Sequence, residues 1–158
     1  MRKMLILFVF TLLVLVLSSL SYPGVQKNST DYIMQDTAVT YRDGTWTGSS
    51  RASYTDEPYW GLVRLSLKSG KLKNISFIIR DSNLHETFDA QYEKHFEGNP
   101  VYIQQCRNDW KGVQEYPGKL LKNKDINKVD AMTGATWSYN IFRASVEDAL
   151  KKAIEQGK

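Results

Sequence analysis

Apolar positions repeat along this chain with two different periods. Over residues 59–68, Val63, Leu65 and Leu67 alternate with Arg64, Ser66 and Lys68, and over 72–80 Ile75, Phe77 and Ile79 fall on one shared face. A period of two predicts strands with one covered side. Lys68-Ser69-Gly70-Lys71 between them has turn composition, so the two strands form an antiparallel pair. Upstream, residues 41–54 carry Thr, Trp and Tyr interrupted by Asp43-Gly44 and Gly48, the pattern of a strand or hairpin entered through a tight turn.

Beyond residue 82 the period lengthens. Leu84, Phe88, Tyr92 and Phe96 recur every four residues and predict a helix over 83–97, stopped by Gly98-Asn99-Pro100. Residues 101–121 predict helical pieces in which Val113, Leu120 and Leu121 pack inward and Pro117-Gly118 is a break. A polar run over 122–129 follows, with Ile126 and Val129 turned inward. The strongest helical signal covers 138–156, where Phe142, Val146, Ala149, Leu150, Ala153 and Ile154 make one apolar stripe. Glu147 with Lys151 and Asp148 with Lys152 are acid-to-base pairs four apart on its other side, and Gly157 suits the position just past its end. Strands first and helices after predict an α+β fold: an antiparallel sheet followed by helices, with the C-terminal helix packed on the sheet.

Ahead of this unit, Arg2 and Lys3 precede an apolar run over 4–17 broken only by Thr11, and Ser18, Ser19 and Ser21 follow. Residues 1–21 therefore read as an export signal cut after Ser21, or as a retained membrane anchor, since the run is about as short as a bilayer span can be. Both place the domain outside the cytoplasm. Residues 22–36, with Pro23, Gly24 and no sustained period, read as a linker, and the folded domain should occupy 37–157.

Composition narrows the function. Twenty-one Lys and Arg against 17 Asp and Glu give a formal charge of +4, half of which leaves with Arg2 and Lys3 if the leader is cut. The basic residues are scattered, so nucleic acid is not an expected partner. One cysteine, Cys106, cannot make an internal disulfide, and it reads as a small buried residue. His85 and His95 would stand about 15 Å apart on a helix of 1.5 Å rise, too far to share a metal ion. No Gly-x-Ser-x-Gly and no nucleophile, histidine and acid arrangement supports hydrolysis.

The remaining candidate chemistry lies in Asp130-Ala131-Met132-Thr133-Gly134-Ala135-Thr136-Trp137-Ser138, at the entry of the last helix. A helix N-terminus leaves backbone N–H groups unpaired and carries the positive end of the helix dipole, so an anion is stabilised there. Gly134 and Ala135 leave the backbone open to a phosphate, and Thr133, Thr136 and Ser138 supply hydroxyls. The plainer alternative is a capped helix with Thr133 or Thr136 as N-cap.

The spacing Asp130-x-x-Thr133-Gly134-Ala135-Thr136, followed by a helix carrying Phe142 and Ala149, resembles the flavinylation motif of the FMN-binding domain family. That family includes subunits of sodium-pumping and Rnf-type respiratory complexes and small extracytoplasmic flavoproteins. Residues 41–48, Gly61-Leu62-Val63 and Ser69-Gly70-Lys71-Leu72 resemble the strands of the same domain, in the same order. The resemblance implies FMN joined through a phosphoester to Thr136 by a flavin transferase that uses FAD and a divalent metal. It gives Gly134 and Ala135 the role of making room for the phosphate, Thr133 and Ser138 that of hydroxyl donors, and Asp130 that of bonding loop N–H groups or helping a metal during attachment. Trp137 is the first choice to stack on the flavin ring, with Trp46, Tyr41 and Trp60 as further candidates. The implied function is an extracytoplasmic electron carrier between a membrane donor and an external acceptor, rather than a self-contained enzyme. The alternative is a non-catalytic binding or assembly module that holds FMN or another phosphate ligand reversibly.

Overall fold

The computed structural model describes residues 39–154, and the leader and linker readings fall outside them. Four strands form one antiparallel sheet in sequence order: β1 (Gly44–Ser49), β2 (Tyr59–Lys68), β3 (Lys71–Asp81) and the short β4 (Glu86–Thr87). Two long helices follow, α1 (Pro100–Asn123) and α2 (Thr136–Ala153). Strands followed by helices make the fold α+β, as the sequence pattern predicts.

The alternation read from β2 and β3 is the one the fold uses. Val63, Leu65, Leu67, Leu72, Ile75, Phe77 and Ile79 are buried, whereas Arg64, Lys68, Ser76 and Arg80 are exposed. Leu72 and Ile75 can share a face because Lys73 is the extra residue of a bulge, with Leu67 opposite Leu72 and Ser66 opposite Asn74. Ser69 (φ 53°) and Gly70 (φ 66°) close the hairpin in the left-handed conformation that suits a two-residue turn between twisted strands.

Helix α2 lies across β1 and β2, and α1 packs on both α2 and β3. Contact at β1 is backbone to backbone: a Cβ on Gly48 would stand 2.0 Å from the Ser145 carbonyl oxygen and 2.4 Å from the Ala149 nitrogen. Phe142, Val146, Ala149, Leu150 and Ala153 are buried, as the stripe predicts, and Ile141, Ala144 and Ser145 are buried as well because the helix has neighbours on two sides. Asp148 pairs with Lys152 and also accepts the Ser49 N–H at 2.8 Å, while Glu147 pairs backward with Arg143 instead of forward with Lys151. The helix begins at Thr136 and ends at Ala153, and Ile154 makes an antiparallel bridge to Tyr41.

Two predicted elements differ. The helix expected over 83–97 is replaced by β4 and a 3-10 turn over Tyr92–Phe96. The Asp81 carboxylate captures the amides of Asn83 (2.7 Å) and Leu84 (3.1 Å), His85 adopts φ 56°, and Glu86 and Thr87 return to pair with Asp81 and Arg80. A side chain that bonds local amides in this way competes directly with helix formation. Conversely, the break expected at Pro117-Gly118 does not occur, and α1 runs through Pro117. Loss of one helical hydrogen bond and the ring clash cost about 3 kcal/mol, and the buried side chains of Val113, Tyr116 and Leu120 on either side hold the helix against that cost.

Candidate functional site

The loop before α2 is fixed by side chains from α1. Ala135 N–H bonds the Met132 carbonyl at 2.9 Å, closing a four-residue turn with Gly134 (φ 76°) in its third place, where a type II turn requires a left-handed residue. Between the turn and the core stands Tyr116, wholly buried, whose hydroxyl donates to the Ala135 carbonyl at 2.8 Å and accepts the Met132 N–H at 3.1 Å. Burial pushes the Tyr116 phenol above its ordinary range, so it serves as a neutral hydroxyl. One turn earlier on α1, Gly112 lets the loop approach: a Cβ there would lie 2.7 Å from Ser138 Oγ and 3.2 Å from Ala135 Cβ.

The helix cap is neither Thr133 nor Thr136. Ala135 occupies the cap position without a side-chain bond, and the capping oxygen comes from a different helix. Asp109 Oδ1 accepts both the Ser138 N–H (3.0 Å) and the Ser138 hydroxyl (2.8 Å), and Asp109 is only 2% exposed. A carboxylate is favourable at this end of a helix because it meets unpaired N–H groups and the positive end of the dipole. Ser138 is therefore committed to the interior, its hydroxyl also reaching the Ala135 carbonyl at 3.1 Å, and it is turned away from any ligand. Ala135 likewise buries its methyl group completely. Asp130, Thr133, Gly134 and Thr136 are exposed, and Trp137 is half-buried.

Trp137 opens the second half of the site. Its indole lies in a cleft of about 620 Å³ lined by Tyr59, Phe88, Tyr92, Phe96, Tyr102 and Trp137, with Gln105, Cys106 and Asp109 along the α1 side. The rings brace one another: Trp137 meets Tyr59 at 5.1 Å and Phe88 at 5.2 Å edge to face, and Phe96 stacks on Tyr102 at 5.4 Å. Trp137 Nε1–H donates to Asp56, and the Tyr92 hydroxyl donates to the buried Asp81, while Tyr59 and Tyr92 hydroxyls lie 3.2 Å apart. Burial by itself would raise the Asp81 carboxyl, yet the hydrogen bonds from Tyr92, Leu84 and Asn83 prevail and hold it below the ordinary carboxylate range. Burial, then the carboxylates of Asp109 and Glu93, push the Cys106 thiol up, which keeps it protonated and unreactive.

Of the aromatic residues named from sequence, Trp137 alone lines the cleft. Tyr41 is buried at the Ile154 bridge, Trp46 is covered by the Arg42 guanidinium at 4.6 Å, and Trp60 by Arg51 at 4.9 Å. Sequence reasoning missed Tyr59, Phe88, Tyr92, Phe96 and Tyr102. Phe88, Tyr92 and Phe96 were visible as a four-residue aromatic repeat, which the chain uses to build a wall instead of a helix stripe. His95 pairs with Glu86 at 2.8 Å, and among the described residues no group of three or more His, Cys, Asp or Glu side chains could hold a metal ion.

An apolar cleft walled by flat rings, beside an exposed small-residue turn at a helix N-terminus, is the shape of a site for a planar ligand with an anionic tail. Comparison with known proteins agrees with that class: the FMN-binding domain family matches residues 55–151, and the chain belongs to it, with FMN as its cofactor. Among solved structures, a crystal structure of the CPE2226 protein from Clostridium perfringens is similar, with 19% identity and a TM-score of 0.56 over 72% of this chain and 89% of that one. At that identity the likeness is one of fold. No curated protein matches the chain closely enough to be counted a relative.

The residues present fit FMN. The cleft volume lies within the range of small-molecule sites and its walls are aromatic faces and edges suited to a fused ring. The turn beside it presents a glycine with φ 76° and an open hydroxyl at the first residue of α2.

Proposed function

We propose that this protein is an extracytoplasmic flavoprotein whose Thr136 carries FMN through a phosphoester, and that it passes electrons between a membrane donor and an external acceptor. The observation that carries this reading is Thr136 itself: an exposed hydroxyl residue at the head of α2, next in the chain to the Trp137 that walls the aromatic cleft.

In the attachment reaction Thr136 Oγ1 forms a bond to the riboflavin-side phosphorus of FAD. The bond from that phosphorus to the bridging oxygen breaks, AMP leaves with the oxygen, and the hydroxyl proton passes to a base on the flavin transferase. The exposed turn gives a transferase and its divalent metal access to that hydroxyl. Thr133 and the positive end of the α2 dipole support the phosphate afterwards. Ser138 and Ala135, being buried, act from behind by fixing the turn. Asp130, exposed at the start of the loop, would bond loop N–H groups or help the metal during attachment.

The isoalloxazine ring supplies the redox chemistry, and the chain supplies seating, exclusion of water and a fixed orientation. Tyr59, Phe88, Tyr92 and Trp137 present an apolar wall, and Tyr102 closes the outer side. A carrier that works outside the cytoplasm has no pool from which to replace a lost cofactor, so a covalent tether suits the export signal read from residues 1–21. Export with a co-expressed flavin transferase, followed by acid precipitation, tests the reading: yellow colour should stay with the precipitated chain. Colour released to the supernatant would instead support a reversible binding module, which the cleft could serve by ring stacking alone.

A further inference from the structure

Two side chains of α1 hold the backbone on both sides of Thr136. Gln105 Nε2 donates to the Gly134 carbonyl at 2.8 Å and to Asp109 Oδ2 at 2.5 Å. Both partners are pure acceptors, so the nitrogen of the amide must face them, and both of its protons are used. Asp109, four residues on, spends its other oxygen on the N–H and hydroxyl of Ser138. The chain is thus gripped two residues before Thr136 and two residues after it by one hydrogen-bonded pair. Asn108, between the two, lies against the same turn: a Cβ on Gly134 would meet its Nδ2 at 2.5 Å.

The same pair faces the cleft. Gln105 and Asp109 are its polar members on the α1 side, set among aromatic rings. Asp109 sits where an apolar side chain would be expected, in line with Cys106, Val113, Tyr116 and Leu120 on the buried stripe of α1. Gln105 is exposed and spans the gap from that stripe to the loop. Neither is required to complete α1, whose own N-terminus is capped by Asn99.

We infer that Gln105 and Asp109 form a positioning pair that aims the Thr136 hydroxyl for phosphoryl transfer and sets the direction in which the tether enters the cleft. This rests on the attachment reading given above. An in-line displacement at phosphorus needs the attacking oxygen, the phosphorus and the departing oxygen aligned, and a shift of about 1 Å in the attacking group can cost about a hundredfold in rate. The donor nature of residue 105 is what matters. Gln105→Lys retains protons for both acceptors, whereas Gln105→Glu, of equal size, sets a carboxylate against the Gly134 carbonyl and Asp109, and Gln105→Ala leaves both without a donor.

The experiment is flavinylation of the full chain by a flavin transferase with FAD and magnesium, at varied chain concentration, paired with amide hydrogen exchange of the same unmodified proteins. We expect kcat to fall about ten- to a hundredfold in Gln105→Ala and Gln105→Glu with KM for the chain little changed, and to return to within about threefold of wild type in Gln105→Lys. Exchange over residues 133–138 should quicken in the first two variants and not in the third. Wild-type kcat in Gln105→Ala and Gln105→Glu would overturn the pair's role while leaving attachment at Thr136 standing. Equal slowing in all three would overturn it too, since it would show packing rather than hydrogen-bond donation. A wild type left unmodified, with Gln105→Ala indistinguishable in exchange, would overturn the attachment reading and the pair together.

Discussion

The hydroxyl of Tyr116 donates to the carbonyl of Ala135 at 2.8 Å, from a side chain nineteen residues earlier and wholly buried. The same oxygen accepts the Met132 N–H, so one phenol on α1 pins both ends of the turn that precedes α2. Tyr116→Phe removes that oxygen and keeps the ring. It leaves the Met132 amide without its partner, and the expected loss of stability is about 1–3 kcal/mol, the usual cost of an unmet polar group inside a protein. Urea unfolding should show a lower midpoint at unchanged slope. A midpoint equal to wild type would mean that the turn holds itself.

Gly134 is held at φ 76° with Asn108 against it. Gly134→Ala places a methyl group both in a left-handed backbone and within 2.5 Å of the Asn108 amide, so either the turn or Asn108 must shift. We expect a cost of about 1–2 kcal/mol from the backbone alone and slower flavin attachment, because the turn sets where Thr136 stands. A double variant, Gly134→Ala with Asn108→Ala, should recover the steric part and not the backbone part. Full recovery in thermal unfolding would assign the whole effect to the clash.

Asp81 sets a direction for the acid limb of stability. Burial alone would raise its folded carboxyl, yet hydrogen bonds from the Tyr92 hydroxyl and two amides outweigh it and hold the group below the ordinary carboxylate range. A group with a depressed folded pKa contributes stability that is fully present above its unfolded pKa and is lost as pH falls through the folded one. The loss should therefore appear below about pH 4. Glu86 and Glu93 add to it, since hydrogen bonds from His95 and Lys94 and from Arg107 lower them as well. Tyr92→Phe removes one of the bonds to Asp81, so the acid limb should shrink as its lower end moves to higher pH, and Asp81→Asn should remove Asp81's share of it. Stability curves of the two variants parallel to wild type between about pH 5 and 2 would contradict this assignment.

Riboflavin has the ring of FMN and no phosphate, so its affinity reports the cleft apart from the turn. Tyr102 is the wall residue best suited to a test, being 55% exposed and stacked on Phe96. Tyr102→Ala should weaken riboflavin binding about tenfold, equivalent to ~1.4 kcal/mol, with little change in unfolding temperature. Trp46→Ala, at a residue that is not part of the cleft lining and is covered by Arg42, should leave the affinity unchanged. Fluorescence titration distinguishes the two, and equal effects would place the ring elsewhere.

The β2–β3 hairpin and α2 were legible because both signals are local: alternation across 63–68 and 75–79, and one stripe from Phe142 to Ala153. The segment after β3 was not, because its outcome was decided by Asp81, a buried carboxylate from the preceding strand that binds the amides of Asn83 and Leu84. Pro117 misled in the opposite direction, since long-range burial of its neighbours outweighs a local rule. At the site, the small-residue turn could be found from its residues, whereas the wall could not: Tyr59 of β2, Phe88 of the loop after β4, Tyr92 of the 3-10 turn and Tyr102 of α1 meet only in the folded chain. Asp109 left one trace that was readable. Cys106, Asp109, Val113, Tyr116 and Leu120 keep strict helical spacing, and a carboxylate within such a stripe marks a buried acceptor in need of donors.

The most direct test is the intact mass of the chain after reaction with flavin transferase, FAD and magnesium, with peptide fragmentation to locate any adduct. The expected result is one FMN joined with loss of one water, on Thr136, and no adduct in Thr136→Ala. An unmodified wild type, or an adduct that survives Thr136→Ala, would contradict the assignment of that hydroxyl as the point of attachment.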